Sequence, residues 1–263
     1  MRIVVPMKAV PDLVEEIELT ADGAGIDREY LSFVVNEWDA QALEEALLIK
    51  DANGAEVVAL GMAADPEVDQ ILYTALAKGA DTAVKLADAS GKEPLRAGIK
   101  LSERARLLAG YLATEPADLV ITGVQACDDP DGQLPSRLAA LVGLPHVSVV
   151  VSIEAEGGSI IVRQEFAAGR SHELEVQMPA VIGVQSARQV PRYAPISRIK
   201  QAMQSGSIEE RAVSPVASAG TEVLVRRLHL PERTGQAEML AGSAGEVAEQ
   251  IVGMLRTRGL VKG

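Results

Sequence analysis

The apolar positions of the chain fall into blocks that alternate between two rhythms. Residues 2–7, 55–61, 82–86 and 118–123 are short runs rich in Val, Ile and Leu, bounded by turn residues, which predicts buried strands. Between them the spacing is helical. Leu43, Ala46 and Leu47 form an inward stripe, Glu44 and Glu45 take the face expected to meet water, and Asn53-Gly54 closes the element. Asn36 reads as the N-cap of that helix, and Asp39 stands where a capping box has its second partner. Asp65-Pro66 reads as a helix start, followed by Val68, Ile71, Leu72, Ala75 and Leu76 at i, i+3, i+4, i+7 and i+8, with Gly79 as the stop. A third helix is predicted over about 97–113 through Leu101, Ala105, Leu108 and Leu112, and a fourth over about 133–142, ended by Gly143. The acidic stretch 12–30 reads as a loop with a hairpin turn at Asp22-Gly23 or Ala24-Gly25. Such alternation of strand and helix predicts an α/β fold, doubly wound around a mainly parallel sheet in the Rossmann-like manner. Right-handed crossovers then put the loops after the strands on one edge, where ligands bind.

The rhythm changes after residue 145. Residues 147–155, 159–166 and 171–178 alternate apolar and polar positions, punctuated by Gly157-Gly158 and Ala168-Gly169, which predicts an antiparallel meander. Val181-Ile182-Gly183-Val184 is a further strand entered through Pro179. From about 187 the chain is basic and irregular, and from about 204 to 242 it reads as a loop rich in Ser, Gly and Ala. A last amphipathic helix, about 243–258, carries Val247, Ile251 and Leu255. The expected organisation is an α/β domain over 1–190, a recognition loop over 191–203, and a linker with a C-terminal arm over 204–263.

Composition narrows the function. With a net charge of −12 there is no basic footprint for a phosphate backbone, so nucleic-acid binding is not expected. The one cysteine, Cys127, excludes an internal disulfide and is expected to be a small buried thiol. His146, His172 and His229 lie far apart without ligand spacing, so no metal site is expected. The N-terminal apolar run is too short for a secretory segment, and no run approaches a membrane span; a soluble cytoplasmic protein without membrane insertion is expected.

Two stretches carry candidate chemistry. The first runs from Gly123 through Gln125, Ala126, Cys127, Asp128, Asp129, Asp131, Gly132, Gln133 and Leu134 to Leu138. It follows a predicted strand and opens a helix, where free amides and the helix dipole favour phosphate. Gly132 would allow close backbone approach and Gln133 a side-chain donor, whereas the three aspartates would repel a phosphate unless they face away or bind ribose, amines or water. An acidic helix-capping loop is the alternative. The second stretch is Val190-Pro-Arg-Tyr-Ala-Pro-Ile-Ser-Arg-Ile-Lys200, which two prolines should hold extended. Ile196 and Ile199 among Arg192, Arg198 and Lys200 form an apolar tip ringed by charge, suited to docking, unless the isoleucines turn into the core. No P-loop, GxGxxG or GxSxG pattern is present, and pairs such as Glu15-Glu16, Glu44-Glu45 and Glu209-Glu210 read as solvated faces. No catalytic residue is expected.

As an ordered set these stretches resemble the electron-transfer flavoprotein β-subunit family. Val5-Pro6-Met7-Lys8-Ala9-Val10-Pro11-Asp12 is similar to the family's opening VxVKxVPD. Asn36-Glu-Trp-Asp39 with Ala42-Leu43-Glu44-Glu45-Ala46 is similar to its NxxD helix, and Thr74-Ala-Leu-Ala-Lys-Gly-Ala-Asp81 to its TALAxGAD. The 123–134 loop sits where the family binds nucleotide, and Pro191-Arg192-Tyr193-Ala194 opens its partner-recognition loop. The agreement extends through Arg233-Thr234 to the last helix.

The resemblance implies an adenine-nucleotide-hydrolase-like fold whose C-terminal arm wraps an α subunit in a heterodimer. The redox FAD would be held mainly by that α subunit, with Leu13 and Trp38 beside the flavin; Leu13 departs from the aromatic often found there. A structural AMP would sit against Pro6, Asn36, Ala63 and the loop residues Gly123, Gln125, Ala126, Asp128, Asp129, Gly132, Gln133 and Leu134. Relatives often carry Thr and Gly where this chain has Leu134 and Pro135, which removes one hydroxyl and one N–H donor. Some relatives hold a second FAD in place of AMP and bifurcate electrons; Asp129 weighs toward AMP. Arg192, Tyr193, Ile196 and Ile199 would dock dehydrogenases as donors, with Ile196 as the anchor, and electrons would pass to a membrane oxidoreductase, quinone-linked, or to another acceptor. The chain would be an electron carrier without catalytic residues of its own. Two rivals stand beside it: an independent nucleotide-dependent hydrolase or ligase on the same fold, which would need a catalytic constellation near 123–134 that is not visible beyond the carboxylates, and a homodimeric, stress-protein-like nucleotide-binding module, whose glycine-rich phosphate loop is missing.

Overall fold

The computed structural model describes residues 1–23, 25–90, 101–217, 227–231, 235 and 237–261. These divide into two compact units, Met1–Leu228 and His229–Gly263. In the first unit the strands are β1 (Arg2–Pro6), β2 (Ala9–Pro11), β3 (Phe33–Val35), β4 (Glu56–Met62), β5 (Thr82–Asp88), β6 (Leu119–Gly123), β7 (His146–Glu156), β8 (Ser159–Phe166), β9 (Arg170–Gln177), β10 (Ala180–Val184) and β11 (Ile208–Val213). The helices are α1 (Glu37–Asn53), α2 (Val68–Lys78), α3 (Leu101–Thr114), α4 (Leu134–Val142) and α5 (Ile196–Ser205), with α6 (Ala244–Thr257) in the second unit.

Among the described residues nine strands form one sheet in the order β11-β5-β4-β1-β6-β10-β7-β8-β9, and β2 pairs antiparallel with β3 apart from it. From β11 to β7 the pairing is parallel; β7, β8 and β9 form the antiparallel meander. Successive strand residues point to opposite faces, so each central strand feeds two cores. Ile3, Val5, Val57, Ala59, Ile121 and Ile182 pack with α1 and α2. Val4, Val58, Leu60, Val120 and Val181 pack with Leu107 and Leu108 of α3 and Leu138 of α4. Both faces are covered, which is why these strands carry continuous apolar runs, and the doubly wound α/β fold read from the sequence is the fold observed.

Several local readings are corrected. Glu44 and Glu45 are not on a wet face: they are 3% and 0% exposed. Asn36 is the N-cap position of α1 but makes no side-chain cap bond, and Asp39 accepts the Lys8 N–H at 3.0 Å instead of closing a capping box. Helix α2 starts after Glu67, not at Asp65-Pro66: Glu67 takes a left-handed backbone, φ +54°, which a helix cannot run through, and the Asp65 carboxylate is held by Arg104. The stretch read as an extended recognition loop turns into α5 at Ile196, with Pro195 as its N-cap residue. The span read as a loop from 204 contains β11, which pairs parallel with β5 over six residues. The start of the third helix at 97–100, Ala24, and Arg233-Thr234 lie outside the described residues.

In the second unit α6 has a complete capping box: Ser243 Oγ accepts the Glu246 N–H, and the Glu246 carboxylate accepts the Ser243 N–H at 2.7 Å. No residue of α6 is buried, and Ile251 and Val252 are exposed.

Candidate functional site

The carboxyl ends of β1, β4 and β6 bring the predicted residues to one edge of the sheet. Pro6 ends β1, Ala63 follows β4 with its N–H donating to the Leu86 carbonyl at 2.7 Å, and Gly123 ends β6. The amino end of α1 crosses this edge. A Cβ on Gly123 would stand 2.6 Å from Asp39 Oδ1 and 2.7 Å from Trp38 Cβ, so glycine is required there for the helix to come down on the strand end. Asn36 Nδ2 donates to the Gln125 carbonyl at 2.9 Å, tying the helix start to the loop. Asn36 Oδ1 and Thr122 Oγ1 are buried without a partner among the described residues. Such orphaned polar atoms are uncommon, and each has room in its bonding for a further group.

The loop after β6 is held by its own backbone. Ala126 and Asp129 exchange N–H···O bonds at 3.2 and 3.0 Å, and the Gly132 N–H reaches the Asp129 carbonyl at 3.3 Å. Gly132 has φ of +61° and lies against the Val124 carbonyl, 2.4 Å from where a Cβ would be. Its glycine therefore serves the turn itself. Gln133 is likewise occupied, its Oε1 accepting Arg137 Nε at 2.8 Å. Of the first-turn groups of α4, Leu134 and Ser136 keep an N–H, whereas Pro135 has none. Cys127 is exposed rather than buried, because the loop projects; its Sγ lies 4.0 Å from the Pro11 carbonyl. Partial loss of hydration around the sulfur, then the Asp128 charge, pushes the thiol up.

Charge at this edge is arranged in pairs. Lys8 Nζ bonds Asp128. Arg104, from α3, forks onto Asp65 at 2.7 and 2.6 Å, both side chains almost fully buried. Asp39 is buried beside them. Loss of hydration pushes its carboxyl up to about 6, against the opposing pull of the Lys8 charge and amide, Asn36 and Arg104. Burial also raises Asp129, with Lys8 pulling it back and Asp128 and Asp131 adding to the rise. Arg137, unlike Lys8 and Arg104, has no ion pair among the described residues. No site role is expected from the sequence for Asp65, which reads only as a helix start, or for Arg104 and Arg137. Arg104 had left a signal: it falls in the apolar stripe of Leu101, Ala105 and Leu108, where a cation needs a buried partner.

The second predicted region lies over the other end of α1. Arg188 Nε contacts Glu45 Oε2 at 3.1 Å and Arg192 Nε contacts Glu44 Oε1 at 3.0 Å, while Arg192 also reaches Asp51 at 3.0 Å. Beyond this anchorage Tyr193 is 80% and Ile196 67% exposed, and Ile199 is half-buried. Leu13 is on the turn after β2, 64% exposed, beside Val14 at 92%; Trp38 is half-buried against Gly123. Among the described residues no group of acidic, His or Cys side chains could hold a metal, and no helix is long and apolar enough to cross a membrane.

Comparison with known proteins decides the family. Residues 24–216 match the electron transfer flavoprotein domain. An electron transfer flavoprotein subunit beta of Methylophilus methylotrophus is 32% identical over 96% of this chain and 97% of its own length. The chain belongs to the electron transfer flavoprotein β-subunit family. A relative of comparable similarity is the Caffeyl-CoA reductase-Etf complex subunit CarD of Acetobacterium woodii, 31% identical over 99% of this chain and all of its own length. A subunit beta from Syntrophomonas wolfei is 31% identical over 88% of this chain and 86% of its own. Membership of the electron transfer flavoprotein family makes electron transfer the chain's business.

Proposed function

We propose that this chain is the β subunit of a heterodimer in which an α subunit holds most of an FAD, and that it takes electrons from dehydrogenases and passes them to a quinone-linked or other acceptor, with a structural AMP in this chain. One observation carries the nucleotide reading. At the carboxyl edge of the parallel strands a buried Asn36, already bonded to the 123–134 loop, keeps an acceptor with no partner. An adenine amino group is the kind of donor that would complete it. The residues fit a nucleotide unevenly. Asn36 suits the base, and Pro6, Ala63, Gly123, Gln125 and Ala126 offer backbone and small side chains around it. For the phosphate, the loop amides of Ala126, Asp129 and Gly132 are already used, which leaves the Leu134 and Ser136 N–H groups and Arg137, whose Nε is held by Gln133 but which has no ion pair among the described residues. Asp128 faces Lys8 and so is turned to a cation rather than to an anion.

FAD, when bound, supplies the redox chemistry; this chain's residues position and shield it. Exposed Leu13 and the half-buried Trp38 are the proposed flavin neighbours. Tyr193 and Ile196 reach outward for a donor, supported by Arg192 and Ile199. The unburied α6 is the proposed arm on the α subunit. A second reading, a second FAD in place of AMP, is favoured by the likeness to a subunit of a CoA-reductase complex. The test is the nucleotide content of the protein co-expressed with its α subunit, released by denaturation and counted by chromatography with mass detection. One FAD and one AMP per heterodimer is the expected result. Two FAD would replace it by the second reading, and neither nucleotide would overturn both.

A further inference from the structure

The anchorage of residues 187–192 on α1 is more than the nucleotide reading requires. Gln41, Glu44 and Glu45 stand at i, i+3 and i+4 and so share one face of the helix. Gln41 Oε1 accepts the Ala187 N–H at 2.9 Å, Glu45 accepts the Arg188 N–H, and Glu44 Oε2 accepts the Arg192 N–H at 2.8 Å. Each glutamate thus holds one arginine twice, by its backbone and by its guanidinium. Burying adjacent carboxylates is unfavourable unless both are fully paired, and an apolar contact would fasten an irregular surface segment at less cost. What paired charges add is direction: a fork fixes both position and orientation. The segment so fixed ends one residue before the exposed Tyr193 and four before the exposed Ile196.

We propose that Glu44 and Glu45 are positioning residues for docking, holding the chain at 187–192 so that Tyr193 and Ile196 project in a set direction before any partner arrives. This rests on the docking reading given above. A surface ordered in advance loses less freedom on binding, so the benefit should show in the affinity for the electron donor rather than in the electron-transfer step.

The test uses Glu44→Gln, Glu45→Gln and the double variant in the full heterodimer. Glutamine keeps an acceptor oxygen and leaves the half-exposed arginines free to meet water, so folding should survive. Three quantities are read: amide exchange of residues 187–192 by mass spectrometry, flavin reduction by dithionite, and flavin reduction by a purified flavin dehydrogenase that reduces the parent, over a range of its concentration. The double variant is expected to exchange these amides roughly tenfold faster and to raise the donor KM roughly five- to tenfold, with kcat and the dithionite rate within about twofold, the scale of charged hydrogen bonds made neutral. An unchanged KM with faster exchange would show the anchorage to be structural only. Unchanged exchange, or an equal loss of dithionite reduction and flavin content, would also overturn the proposal. Should the double variant fail to fold, Arg188→Lys with Arg192→Lys keeps the charge but loses the fork and must show the same split. The docking reading fails separately: Ile196→Ala would then keep the parental KM while the glutamine variants raise it.

Discussion

Asp39 shows how one residue can be legible in kind and illegible in role. Three residues after a cap position an aspartate suggests a capping box, but its carboxylate is committed to the Lys8 N–H and closed in by the strand end at Gly123. Loss of water lifts it from 3.8 to about 6, while Lys8, Asn36 and Arg104 resist the lift. A carboxyl raised on folding contributes stability that is full below its unfolded value near 4 and lost as pH climbs through 6. Asp39→Asn should therefore flatten the stability profile between about pH 4 and 7 and leave the variant the more stable at neutral pH, by roughly 3 kcal/mol at most. Urea midpoints of parent and variant across that range check this; parallel profiles would refute it. Glu44 and Glu45 misled for a related reason. Adjacent acids on a helix ordinarily face water, and their partners, Arg188 and Arg192, lie more than 140 positions away. Local periodicity carries no sign of a neighbour supplied by the fold.

At the scale of elements, what was legible were the runs whose pattern repeats: β1, β4, β6 and the stripes of α1 and α2. What was missed were elements without an apolar rhythm of their own. Strand β11, Ile-Glu-Glu-Arg-Ala-Val, buries little and exists because β5 offers it a parallel edge. Helix α5 was hidden behind two prolines, one of which sits outside its first turn, where proline does no harm. The link between α3 and the turn after β4 belongs to this scale as well. Arg104 and Asp65 join two elements 39 positions apart, next to the proposed nucleotide edge. Arg104→Met alone should cost about 3–5 kcal/mol, because it strands a buried carboxylate, and pairing it with Asp65→Leu should restore much of that loss. A double-mutant cycle by chemical denaturation measures the difference; additive losses would mean that the fork is not the source of the cost.

For the whole molecule, the family, the fold and the place of the loop edge were all readable, since they depend on the order of many weak motifs rather than on any one contact. The charge economy of the edge was not, because Lys8–Asp128 and Arg104–Asp65 are long-range pairs. The outward face at α5 gives the simplest functional test. Ile196 has two-thirds of its surface in water and no role in either core. Ile196→Ala should lower electron uptake from a dehydrogenase roughly tenfold, as loss of a docking anchor does, with flavin content and thermal stability unchanged. Equal uptake rates in stopped-flow reduction would remove the docking role.

Strand β11 has a bearing on how the protein comes to be made. Thr82–Asp88 is an inner strand only because Ile208–Val213 lies beside it, and that cover carries the exposed charges of Glu209, Glu210 and Arg211. During synthesis more than a hundred residues separate the emergence of the two. Throughout that interval the growing chain carries an unpaired strand edge with Ala83, Val84 and Leu86 in its sequence, the sort of edge to which other chains adhere. The charged strip that arrives last thus acts as a seal, and chains released before it is made are the ones a cell's chaperones would have to hold apart.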